Sequence, residues 1–77
     1  MTPQERFGAN LRRSRKQAGL TQEALRDSSG IHMTEISRIE NGQKDPQLTT
    51  IVRLAAGLGI PAGDLLAGLP GHRTSTG

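Results

Sequence analysis

Apolar residues along this chain recur at helical spacing, and the alternation that marks a strand is missing. Phe7, Leu11 and Ala18 lie four and seven residues apart, so they share one stripe of a first helix from about Pro3 to Ala18. Asn10, Arg13 and Lys16 face elsewhere, and Gly19 is placed to close that helix. A second helix, over 21–28, starts at Thr21, whose hydroxyl can cap free amides, with Leu20 and Leu25 at the two positions of a hydrophobic staple. It stops at Gly30. The same arrangement then recurs: Ile31 and Ile36 form a second staple, His32 is a poor cap, and Glu35 suits the positive end of a third helix over 32–40. Asn41-Gly42 is a stop and turn signal. Asp45-Pro46 predicts the start of a fourth helix, with Leu48, Ile51, Val52, Ala55 and Leu58 as its buried face. Gly59 ends it, which makes Gly57-Leu58-Gly59 a helix end and not a phosphate loop, since no strand precedes it. Pro61 opens a last short helix through Leu65 and Leu66. The expected architecture is all-α, five helices in one domain over 1–67, followed by a flexible, small and polar tail over 68–77.

Composition narrows the function classes. A chain of 77 residues holds one domain and a modest core. With no cysteine it has no disulfide framework and no thiolate metal site, and no second His, Cys or Asp stands near His32 to make a metal site there. No apolar run is long enough to span a membrane, and the N-terminal residues lack the apolar stretch of a secretory signal, so a cytoplasmic location is expected. The parts of an enzyme are not evident: no cysteine nucleophile, no paired carboxylates in a plausible cleft, no histidine with a partner. No cofactor is expected either.

Charge is distributed unevenly. The net charge is +3, but residues 1–18 carry Arg6, Arg12, Arg13, Arg15 and Lys16 against Glu5 alone. A basic first segment suits a polyanion, although a solvated cationic helix face would read the same way.

Two short helices joined by a tight, glycine-containing turn form a helix-turn-helix, and the second and third helices fit that pattern. With Leu25, Ile31, Ile36 and Ile39 inward, Met33, Thr34, Ser37 and Arg38 project from the opposite face of the third helix, free to enter a major groove. The blocks Leu20-Thr21-Gln22-Glu23 and Ile36-Ser37-Arg38-Ile39-Glu40-Asn41-Gly42, with Phe7-Gly8 before them and Leu54-Ala55, Leu58-Gly59-Ile60 and Leu65-Leu66 after, resemble the phage repressor and Cro type, the XRE family, over roughly residues 5–67. That resemblance implies a five-helix lambda-repressor-like fold and a transcriptional regulator of the repressor kind that binds a near-palindromic double-stranded operator as a dimer without a cofactor. By position, Gln22 matches a glutamine that grips a phosphate, and Met33, Thr34 and Arg38 match base-facing positions. Asn41, Gln43 and Lys44 match a backbone-clamping loop, and Arg15 and Glu40 match an ion pair tying the first helix to the end of the third. The chain departs from the pattern at Arg26, where a small residue is usual, and at Met33, which cannot make a glutamine's bidentate contact with adenine. Leu65, Leu66 and Leu69 are the expected interface of a weak homodimer. The competing reading is an antitoxin-like protein whose main partner is another protein, with DNA binding secondary.

Overall fold

The computed structural model describes residues 1–69, so residues 70–77 of the expected tail lie outside the described residues. Five helices follow in order: α1 (Pro3–Gln17), α2 (Gln22–Ser29), α3 (Met33–Glu40), α4 (Leu48–Leu58) and α5 (Ala62–Leu65), with no strand among the described residues.

Local chemistry explains the helix ends. Thr2 and Glu5 cap α1 reciprocally: Thr2 Oγ1 accepts from the Glu5 amide at 3.1 Å, and the Thr2 amide donates to Glu5 Oε1 at 2.8 Å. Thr21 Oγ1 accepts from the Ala24 amide at 3.0 Å at the start of α2. Helix α3 has no side-chain cap, as His32 suggested. Gly30 ends α2 in the left-handed region (φ 76°), where a side chain would be strained, and its amide donates to the Arg26 carbonyl at 2.8 Å. Helix α4 starts later than Asp45-Pro46 suggested, because Pro46 precedes an extended N-cap, Gln47 (φ −71°, ψ 157°).

The core is a single cluster of Phe7, Leu11, Leu25, Ile31, Ile36, Ile39, Leu54, Ala55 and Leu65, drawn from all five helices and the turn. Each large side chain buried there contributes roughly 1.5–3 kcal/mol. Three expectations about it are corrected. Ala18 is exposed, and Arg15 occupies the end of the α1 stripe instead. Leu48 and Val52 are exposed, at 76% and 52%, because α4 is rotated to bury Thr50, Leu54 and Ala55. Asn10 does not face outward but is 1% exposed. Its Nδ2 donates to the carbonyls of Leu65 (3.0 Å) and Ala67 (2.8 Å), fastening α5 and its following turn to α1.

Two close backbone approaches set how the helices cross. A Cβ on Gly8 would overlap the Ile39 carbonyl oxygen and come within 2.8 Å of that of Glu40, so only glycine lets α1 lie against the end of α3. Gly57 lies inside α4 and permits contact with Ser28 and Ser29 at the end of α2, while Gly59 is the residue that caps α4. No described helix is long and apolar enough to cross a membrane.

Candidate nucleic-acid interface

Helices α2 and α3 are joined by Gly30, Ile31 and His32. Ile31 is buried, and its amide donates to Ser29 Oγ at 3.1 Å, which ties the turn to the helix before it. Ile36 and Ile39 face the core with no exposure, so the spacing of α3 turns Met33, Thr34 and Arg38 to the exterior, with Ser37 half-buried beside them. Gln22, Met33, Thr34, Ser37 and Arg38 line one open groove. Five of the residues singled out from the sequence thus share one surface.

The loop residues divide. Asn41 and Gln43 are exposed, and the Gln43 amide donates to the Arg38 carbonyl at 2.9 Å, folding the loop back on α3. Asn41 lines a separate depression with Arg12, Glu5 and Ala9. Lys44 reaches the other way, with its Nζ 3.5 Å from Glu35 Oε2, and that pair is open enough to be worth about 0–1 kcal/mol.

Arg15 and Glu40 meet in a bidentate pair. Arg15 Nε donates to Glu40 Oε2 at 2.6 Å and Nη2 to Oε1 at 3.0 Å, while Nη1 donates to the Leu20 carbonyl at 2.9 Å. The two side chains are 11% and 4% exposed. The hydrogen bonds to Glu40 raise the Arg15 pKa above its ordinary value against the opposing effect of burial, so the guanidinium stays charged. One of the five cations of the first segment is therefore spent inside the molecule, and Arg6, Arg12, Arg13 and Lys16 remain exposed. Gln22 Nε2 donates to Glu40 Oε1 at 3.1 Å. An amide nitrogen carries two hydrogens, so one holds Gln22 to the ion pair and the other stays available to an acceptor outside.

One feature went unread in the sequence, and one reading is corrected. Asn10 lies on the same stripe as Phe7 and Leu11, and a polar residue within an apolar stripe was the available signal. Leu65 is corrected as an interface residue: it is fully buried and belongs to the core, leaving no surface for a partner. Leu66 is 39% exposed and Leu69 half-buried.

A five-helix domain with this helix-turn-helix and an outward α3 defines the DNA-binding domain of transcriptional regulators. The chain belongs to the helix-turn-helix domain family, whose model matches residues 6–69. It is 48% identical over 46 residues to an uncharacterised HTH-type transcriptional regulator of Haemophilus influenzae, covering 60% of this chain and 47% of that protein. It is 45% identical over 58 residues to the HTH-type transcriptional repressor RghR of Bacillus subtilis, covering 74% and 43%. The chain thus spans about half the length of these curated relatives. Among solved structures it is similar to the restriction-modification controller protein C.AhdI of Aeromonas hydrophila, at 35% identity and a TM-score of 0.78, covering 80% of this chain and 94% of that one. The resemblance to the phage repressor type and the five-helix architecture hold. The relatives named above carry the names of transcriptional regulators and of a controller protein, and no group of residues that could hold a metal ion occurs among the described residues.

Proposed function

We propose that this chain binds double-stranded DNA at a short, near-palindromic operator and regulates transcription there, most directly as a repressor. The observation that carries the reading is the single open groove lined by Gln22, Met33, Thr34, Ser37 and Arg38 on the outer side of a helix-turn-helix. In this reading α3 enters the major groove. Arg38 takes guanine O6 and N7, Thr34 and Ser37 offer hydroxyls to base edges, and Met33 supplies an apolar contact. Gln22 grips a phosphate with its second amide hydrogen, aimed by Glu40. Asn41, Gln43 and Lys44 hold the backbone, Lys44 by exchanging Glu35 for a phosphate. Arg12 flanks Asn41 and extends that contact. The names of its relatives, a repressor and a controller protein among them, support a regulatory role.

A single recognition helix covers too few base pairs to select one site in a genome. Two copies paired across a two-fold axis would set their α3 helices about 34 Å apart, one DNA turn. Leu48 and Val52 lie one turn apart on α4, and the half-buried Ile51 beside them lines a cleft with Leu66 and Leu69. This apolar face replaces Leu65 as the proposed interface. Burying three such side chains gives roughly 1.5–3 kcal/mol each, against several kcal/mol for association, so the free dimer is weak and DNA completes it. A DNA target supports a cytoplasmic location for the chain.

Selection from a random duplex pool at low salt tests the reading. The expected result is an enriched two-half-site motif whose affinity falls steeply with salt. No enriched motif would overturn it.

A further inference from the structure

Arg26 stands on the last turn of α2 and reaches across to α3. Its Nη1 lies 3.9 Å from Met33 Sδ. The other edge of the guanidinium is held by carboxylates: Nε and Nη2 lie 3.2 Å and 3.1 Å from Asp27 Oδ1, and Nη2 lies 3.6 Å from Glu23 Oε2. We propose that Arg26 is a specificity-determining positioning residue, whose guanidinium fixes the Met33 side chain at the leading end of α3 so that Met33 meets a thymine methyl in the operator. The proposal rests on the DNA-binding reading above.

Charge decides against the simpler role of a phosphate grip. Two carboxylates, 68% and 69% exposed, surround one guanidinium, so this corner carries surplus negative charge and repels a phosphate. What remains to the guanidinium is the thioether. Methionine has three rotatable bonds, and a solvent-facing one samples many rotamers. Met33 is 38% exposed and lines the groove with Thr34, Ser37 and Arg38. A planar fork clamped on one edge by Asp27 and touching sulfur on the other removes part of that freedom before DNA arrives. Met33 has no hydrogen-bond donor and only a weak acceptor, so of the groups on the major-groove edge the thymine methyl is the one it complements.

The test compares the wild-type chain, Arg26→Ala, Arg26→Lys, Met33→Ala and the Arg26→Ala/Met33→Ala pair on the selected operator. Each thymine is replaced in turn by uracil, which removes only the methyl group. The wild type should lose about four-fold at one position per half-site, the value of one buried methyl group. Arg26→Ala and Met33→Ala should each abolish that loss, the pair should do no more than either alone, and Arg26→Lys should not restore it. The salt slope should stay unchanged in Arg26→Ala. Retained methyl sensitivity in Arg26→Ala, or a uniform loss on all sequences with a slope lower by about one, would overturn the proposal and make Arg26 a phosphate contact. Alanine has the highest helix propensity and suits both helical positions, and a thermal melt by circular dichroism verifies the fold of each variant. A wild type that selects a motif but shows no uracil-sensitive position sinks this proposal alone. A wild type that selects no motif sinks the DNA reading first.

Discussion

The Arg15–Glu40 pair joins residues 25 positions apart and holds α1 to the end of α3. Removing one partner from a buried pair costs about 3–5 kcal/mol, whereas an exposed pair is worth about 0–1. At 11% and 4% exposure these side chains lie near the buried limit. Glu40→Ala should therefore destabilise the fold by about 3 kcal/mol, since it leaves a shielded guanidinium with only the Leu20 carbonyl. Arg15→Ala should cost more, about 4 kcal/mol, because the bond to Leu20 is lost as well. Arg15→Lys should recover little, as a point charge cannot span both carboxylate oxygens. The double variant should be close to Arg15→Ala, giving a coupling energy of about 2–3 kcal/mol. A chain of this size has roughly 4–12 kcal/mol of stability in total, and each kcal/mol moves the midpoint by about 4–8 °C, so the single variants should melt well below the parent. With no Trp or Tyr in the sequence, urea unfolding is followed by circular dichroism at the helix band rather than by fluorescence. Single losses under about 1 kcal/mol that simply add would show that the two side chains do not meet in solution.

Further outcomes follow from other contacts. Gly8→Ala gains about 1 kcal/mol of helix propensity, but its Cβ collides with backbone carbonyls of α3, so a net loss of about 1–3 kcal/mol is expected, and a raised melting temperature would refute the close approach. Asn10→Leu leaves the Leu65 carbonyl unpaired and should cost about 1–3 kcal/mol, with hydrogen exchange quickened in α5 before the rest of the fold; unchanged exchange there would count against the tether. Glu5 accepts a backbone hydrogen bond from Thr2, which holds its carboxyl below the usual glutamate range. A depressed folded pKa stabilises above the unfolded value and is lost as pH falls through the folded one, so the first turn of α1 should fray in acid, and a Glu5 carboxyl that titrates at or above the usual value by NMR contradicts this. Leu48→Glu with Val52→Lys should leave the monomer folded and prevent pairing on a two-half-site duplex, read by sedimentation; undiminished pairing would exclude that face.

The sequence determined the parts that local chemistry controls. Thr21 and Gly30 fix where α2 begins and ends, because capping and left-handed backbone act within a few residues. The alternation of core and groove positions on α3 follows from Ile36 and Ile39 in the same way. What the tertiary structure decided is the rotation and crossing of helices. Helix α4 has apolar residues on almost every side (Leu48, Ile51, Val52, Leu54, Ala55 and Leu58), so its periodicity allows more than one buried face. Packing against α2 and α5 buries Leu54 and frees Leu48 and Val52. The same is true of Asn10, whose side-chain amide donates to carbonyls 55 and 57 residues away. An amide on the first helix is polar surface until another backbone arrives to accept from it. Leu65 and Leu66 are neighbours with the same side chain, and only the seating of α5 on α1 and α4 makes one of them core and leaves the other exposed.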